Sequence, residues 1–307
     1  MKLENYLKVA VLGVFLVAPL LAYPMMMAQV LCMALLACSV NLLFGYAGLL
    51  SFGHAAFFGI AAYGCGYTMK EWGWTPEFGI ALGTLAGLGL GAVFGSLAIR
   101  RQGIYFSMIT LALAQLLYFV LAQAPFTNKD DGYQGVPRGR LFGLVDLSSD
   151  LNVYYFVLIL VVLVWLFVER IVESPFGEVL KAVRENEDRA TSLGYDVRVY
   201  KVLAFTLSAG IAGLAGALHT LLFSIASLSD ASWHLSGDAV IMTILGGAGT
   251  LVGPVFGAGI LTLVQYMLQG EYVSLSSVVL GLIFMVCVLL FRRGIVGQLL
   301  DSLSDKK

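Results

Sequence analysis

An all-α polytopic membrane protein is the fold class that this 307-residue sequence predicts, on three observations. Hydrophobic residues make up 59% of the chain and charged residues 12%, a balance typical of proteins whose solvent is largely lipid. Apolar runs near the twenty residues that cross a bilayer as a helix follow one another almost without pause. The basic residues cluster in a few short gaps between those runs, as the positive-inside rule requires. A net charge of −1 with no concentrated basic face excludes nucleic acid as a partner and leaves the lipid bilayer as the surrounding medium. The four cysteines, Cys32, Cys38, Cys65 and Cys287, lie inside apolar runs without metal-type spacing and read as small core residues.

The runs fall at 9–22, 25–44, 53–69, 78–99, 103–122, 152–168, 202–226, 239–268 and 276–291. The first resembles a signal peptide in length, but Glu4 is foreign to such a leader, the sites after Ala18 and Ala22 are poor for cleavage, and another span follows at once. It is therefore expected to be a retained span. Lys2, Lys8, Arg100, Arg101, the bases of 170–201, Arg292, Arg293, Lys306 and Lys307 are expected on the cytoplasmic side. Four crossings connect Lys2 to Arg100, and two more reach the charged segment. The acid-containing loop 123–151 then falls outside.

One continuous helix over 239–268 would leave Arg292 and Arg293 on the wrong side. The phrase "LGGAGTLVGPVFGAG", Leu245–Gly259, supplies the break, with six glycines and a proline. Such breaks persist at membrane depth only where protein or a watery cavity surrounds them. Two half-length elements, 239–248 and 254–268, bring the count to ten with both termini inside. "FGYAGLLSFGHAAFFG", Phe44–Gly59, repeats the pattern Gly-x-Ala-Gly with Leu two residues on. Paired glycine breaks point to a midplane site or pathway; close helix packing through small residues is the alternative. On the pathway reading, the backbone around Gly45–Ser51 and Gly246–Gly249 meets a zwitterionic solute through neutral groups. The expected lining is Asn41, Gly45, Gly48, Ser51, Thr110, Gln115, Gly246, Gly247 and Gly249.

Between Glu169 and Lys201 stand 13 of the 37 charged residues. Ser174 is a helix N-cap, Pro175 the first helical position and Gly194 the stop. Phe176, Val179, Leu180, Val183, Ala190 and Leu193 recur at helical spacing beside a mixed-charge face. A cytoplasmic amphipathic helix results, suited either to docking on another protein or to connecting two spans.

"SPFGEVLKAVRENEDRATSLGYDVRVYKVLAFTLSAGIAGLAGAL", "NLLFGYAGLLSFGHAAFFGIAAY", "RRQGIYFSMITLALAQ" and "WHLSGDAVIMTILGGAGTLVGPVFGA", in this order and over nearly the whole chain, resemble the permease subunits of the branched-chain amino-acid ABC transporter family, M-type. The resemblance implies a single permease domain over 1–307, with 169–201 as its coupling segment. It implies that Phe176, Gly177, Arg184, Glu185, Asn186, Glu187 and Arg189 couple to an ATPase subunit, and that the solute is a branched-chain or related amino acid. The implied partners are an H-type sister permease, two ABC ATPase subunits and a periplasmic solute-binding protein, in a bacterial inner membrane. Urea or short-amide permeases belong to the same family, and an ion-coupled secondary carrier is the rival of another class. Three positions depart from the family pattern: Arg189 stands where a small residue is usual, the external loop reads "TNKDDGYQG", and Asp238 replaces a more usual Glu.

No enzymatic constellation is visible. His54, His219 and His234 are isolated and form no metal-type cluster. The chain has no phosphate-binding Gly-x-x-x-x-Gly-Lys-[Ser/Thr] loop, so no cofactor is expected on it, and ATP with magnesium is expected on partner subunits. The span interiors hold neutral polar residues, and Asp238 and Glu271 lie at run ends, which disfavours the ion-coupled carrier.

Overall fold

The computed structural model describes residues 2–143 and 145–268, together with 278–279, 281–282, 285–286, 289 and 294–298. Long apolar stretches without internal partners for their amides can only be helices in lipid, and the chain obeys. Helices α1 (Lys2–Leu21), α2 (Pro24–Asn41), α3 (His54–Lys70), α4 (Pro76–Ala98), α5 (Ile104–Gln123) and α6 (Asp150–Val172) are followed by two short helices, α7 (Pro175–Glu185) and α8 (Glu187–Ser192). Then come α9 (Val197–Phe223), α10 (Trp233–Gly246) and α11 (Gly253–Met267). Four two-residue strands, β1 (Tyr133–Gln134), β2 (Arg140–Leu141), β3 (Val145–Asp146) and β4 (Ile225–Ala226), form two small antiparallel pairs, β1 with β4 and β2 with β3.

The bundle has two chemically distinct ends. At the basic end Lys8 of α1 pairs with Glu169 of α6, and the α4–α5 turn with Arg100 and Arg101 and the α7–α8 segment gather there. At the other, the hairpin end, β1–β4 pairing joins the 124–149 loop to the segment after α9. Arg138 fastens this end: its guanidinium reaches Asp150 at 2.8 Å and the Leu222 carbonyl at 2.7 Å.

Helices α2, α3, α4 and α9 make the core. Along α4 the residues Gly79, Gly83, Gly87, Gly91 and Gly95 recur every fourth position, on one helix face. A Cβ at Gly87 would stand 3.0 Å from the Ala209 carbonyl oxygen and 3.1 Å from the Gly213 Cα, so the α4 and α9 backbones touch. Small residues that let backbones meet are how helices associate where lipid is as apolar as leucine. The opposite extreme is α5, which turns Ile104, Tyr105, Met108, Leu116 and Phe119 outward.

The spans agree with the expected runs, with four differences. Helix α1 begins at Lys2, not 9. Helix α9 begins at Val197, not 202, because the Asp196 carboxylate caps it by accepting from the Val199 amide at 3.3 Å. The broken run is two helices, as expected, but α10 begins at Trp233 and the link is 247–252. And the charged segment is two helices in place of one: Asn186 is extended, with φ −160°, and its side chain caps α8 by accepting from the Arg189 amide at 2.9 Å. A residue type that serves both as helix terminator and as N-cap ends the stripe early, and Leu193, expected on the apolar face, is 70% exposed. The last expected span, 276–291, and Glu271, Cys287, Arg292 and Arg293 fall largely or wholly outside the described residues. Gly294 packs against Gly247, so the helical residues 294–298 lie at the basic end.

Candidate functional site

The two glycine phrases meet. Helix α2 passes into a π-helical turn, Leu42–Tyr46, and then leaves helical geometry until His54. Helix α10 stops at Gly246, and a link through Gly247 (φ +121°) and Gly249 (φ +84°) leads to α11, which opens with Gly253 and Pro254. Asn41 joins the two. Its Oδ1 accepts from the Gly249 amide at 2.8 Å and its Nδ2 donates to the Thr250 carbonyl at 2.8 Å, so one buried side-chain amide satisfies an amide and a carbonyl of the link. The approach needs glycine at Gly45, where a Cβ would overlap the Asn41 side chain.

The junction lies at the basic end. Arg184, the penultimate residue of α7, donates from Nη1 to the Gly45 carbonyl. A Cβ on Gly249 would stand 3.4 Å from the same nitrogen, so a charged side chain from α7 reaches both phrases. The breaks are thus within one arginine's length of α7. Before the first break, α2 and its π-turn run for 23 residues, long and apolar enough to cross a bilayer.

The remaining expected pathway residues divide into two groups. Ser51 and Thr110 belong to the junction's rim: Ser51 Oγ accepts from the Gly53 amide at 3.2 Å, and Thr110 Oγ1 accepts from the Phe52 amide at 3.2 Å. Both are buried and satisfy the unwound backbone. Gly246 and Gly247 are buried at the α10–α11 crossing, where a Cβ on Gly246 would overlap the Gly253 carbonyl. Gln115 is half-buried on α5, over one turn beyond Thr110, and Gly48 (φ +71°) is exposed.

The residues expected to couple to an ATPase also divide. Phe176 stacks on Tyr200 with ring centres 5.5 Å apart, and Gly177 lies so close to Val172 that a side chain there would overlap its carbonyl oxygen. Glu187 reaches Lys201 at 2.5 Å, and this lysine is only 4% exposed. These three hold α7 and α8 to the bundle, as does a small cluster of Val179, Val183, Ala190 and Val197. Arg184 is exposed even as its guanidinium reaches Gly45, and exposed Glu185, Asn186 and Arg189, with Glu178, Lys181 and Asp188, form a mixed-charge outer face.

Sequence reading missed a second interruption. After Ser224 (φ +56°) the chain re-enters the bundle: Ala226 lies against Gly66 and Ala231 against Gly59, further along α3 toward the basic end. There the Asp230 carboxylate accepts from the Ser227 amide at 2.8 Å, with His219 of α9 3.7 Å away. The acid is 8% exposed, so a carboxylate in the gap between two expected runs is inside protein. The signal available was the Ser227-to-Asp230 spacing of a capping box. Lower down, His54 contacts Ser208 at 2.8 Å, and Ser208 Oγ donates to the Ser39 carbonyl at 2.6 Å, so this histidine is a packed core residue. Among the described residues no group of three or more His, Cys, Asp or Glu side chains has metal-binding geometry.

Comparison with known proteins adds to this geometry. The family described as "Branched-chain amino acid transport system / permease component" matches residues 23–289. The chain is 27% identical to the high-affinity branched-chain amino acid transport system permease protein LivM of Escherichia coli (strain K12), over 89% of this chain and 69% of that one. It is 26% identical to a probable branched-chain amino acid transport permease protein LivM of Methanocaldococcus jannaschii, over 62% of this chain and 55% of the relative. It is 28% identical to the ribose import permease protein RbsC of Bacillus subtilis (strain 168), over 53% and 50%. No solved structure matches the chain at a significant level.

Proposed function

The chain belongs to the branched-chain amino acid transport permease family, and from that premise we propose that it forms one half of a pathway carrying branched-chain or related amino acids inward at the expense of ATP hydrolysed on partner subunits. The observation that carries this reading is the α7–α8 segment. Its apolar side is spent within the chain, its mixed-charge side is free, and one of its side chains touches the glycine junction. A segment joined inward to a break in two helices and open outward to solvent is what transmission from a soluble motor requires. By the positive-inside rule the basic end is cytoplasmic, which sets both termini inside and the hairpin end toward a solute-binding protein.

An amino acid is the solute that the curated relatives' names favour, since those of greatest coverage are amino-acid permeases. The junction offers it backbone amides and carbonyls and the Asn41 carboxamide, groups that bind a zwitterion weakly enough to release it. Exposed apolar residues on α5 suit the face toward an H-type sister permease. ATP and magnesium belong to the ATPase subunits.

Affinity purification of the tagged chain in mild detergent, with mass spectrometry of what remains bound, tests the assembly. Recovery of a sister permease and ATPase chains is expected, and uptake of labelled leucine, isoleucine and valine by the reconstituted complex then tests the solute. Recovery of the chain alone, or uptake only of urea or a sugar, overturns the corresponding half of the proposal.

A further inference from the structure

Arg184 is the one described side chain of α7 that touches both the break after α2 and the α10–α11 link, through the Gly45 carbonyl and the approach to Gly249. The Gly45 carbonyl belongs to a helix end, because the chain leaves helical geometry after Ala47. Carbonyls at helix ends lack intrahelical donors and carry the negative end of the helix dipole. A guanidinium answers both needs, as a donor and as a cation. Its stem also occupies the ground beside Gly48, where a Cβ would come within 3.0 Å of the Arg184 Cγ. The cap therefore comes from another element, and that element is anchored through Phe176 on Tyr200, Leu180 in the core and Glu187 on Lys201. Two residues past Arg184, after the extended Asn186, the chain turns into the outer face.

We infer that Arg184 is a latch: with α7 in the observed position it clamps the basic-end junction between the two glycine breaks, and displacement of α7–α8 withdraws it and frees the junction to open. This inference rests on the permease reading and assigns Arg184 an inward role, as a positioning residue for the pathway, in place of the ATPase-surface role expected from the sequence. Two consequences separate these roles. An arginine at the ATPase surface affects assembly with that subunit; a latch affects how many solutes move for each ATP hydrolysed.

The test uses the reconstituted complex with its own ATPase and binding protein, measuring assembly, ATP hydrolysis and uptake together. Arg184→Ala is expected to assemble and hydrolyse ATP while uptake per ATP falls about tenfold, the scale of an ordinary coupling free energy. Arg184→Lys, which retains a cation and a donor, is expected to recover most of that ratio, a rescue that a purely packing role would not show. Unchanged uptake per ATP in Arg184→Ala overturns the latch, as does loss of the ATPase subunit from the purified Arg184→Ala complex, which would return the residue to the docking surface. Failure of the unsubstituted chain to bring down any ATPase overturns the permease reading itself, and is distinguished from failure of the latch because it appears without substitution.

Discussion

The two glycine breaks begin as the same phrase and end as complementary parts. Gly48 and Gly249 hold equivalent places in Gly-x-Ala-Gly, and both adopt left-handed φ, +71° and +84°. Yet the first break leaves its helix by a π-turn and presents a carbonyl, that of Gly45, while the second leaves abruptly and presents an amide, that of Gly249. One is finished by a charged side chain from outside the bundle and the other by Asn41 from within it. A repeated sequence signal thus specifies a repeated backbone departure, but what each break bonds to depends on the neighbours it meets.

The largest expected effect is at Asn41, where the two breaks are joined. Asn41→Ala leaves the Gly249 amide and the Thr250 carbonyl without their partner. An orphaned buried polar group costs about 1–3 kcal/mol in general, and interhelical hydrogen bonds in lipid average about 0.6 kcal/mol. For two groups lost together we expect destabilisation of about 2 kcal/mol, read as a lowered thermal midpoint of the purified complex. An unchanged midpoint would mean that the breaks do not depend on each other.

Gly249→Val comes next and should exceed Gly48→Val. Both place a β-branched residue in left-handed backbone, which costs roughly 1–2 kcal/mol. At Gly249 the new Cβ also faces the Gly45 carbonyl oxygen at 3.3 Å, which is backbone, whereas at Gly48 it meets the Arg184 side chain, which can swing away. Uptake by assembled complexes should fall in both, more steeply for Gly249→Val. The reverse order would place the sensitive element in the first break.

Glu187→Gln sharpens the comparison from outside the bundle, because Glu187 helps hold the segment that carries Arg184. The substitution strands the buried Lys201 ammonium. Breaking a buried ion pair costs several kcal/mol, but the glutamate side chain is 31% exposed, and allowing for solvent screening we expect about 1–2 kcal/mol. Faster hydrogen exchange across α7 and α8 checks this, and an unaltered rate would show that the hydrophobic cluster alone anchors them.

The smallest effect lies far from the junction, at the β2–β3 pair. The Ser148 hydroxyl at 2.7 Å and amide at 2.9 Å donate to the Asp146 carboxylate and hold its pKa below the ordinary aspartate range, with the Arg140 charge contributing less. A depressed pKa contributes stability that is present above the ordinary range and is lost as pH falls through the lowered value. Exchange at 140–146 should therefore quicken on acidification past that range, and Asp146→Asn should remove the dependence without altering the breaks.

Much of this was legible in the chain. The spans among the described residues and the Ser174 cap follow from periodicity, length and helix-end chemistry, which are local. The fourfold spacing of glycines on α4 announced a close helix contact, though not that α9 supplies the other side. The division of α7 from α8 was less legible, because Asn186 is an ordinary exposed polar residue until its side chain turns back to cap. The re-entry at Asp230 went unread for a related reason: hydropathy marks a serine- and aspartate-rich stretch as solvated, but a segment that caps its own amides can re-enter protein.

By itself the sequence determined where helices form and stop, which gaps carry charge, and that two phrases must leave helical geometry, since glycine, proline and apolar length act within a few residues of themselves. Only the tertiary structure decided that the two phrases meet, that Asn41 serves both and that Arg184 turns inward to Gly45. Those partners are 209 and 139 residues apart in the chain, and a hydrogen bond across such a distance belongs to the packing that brings its ends together.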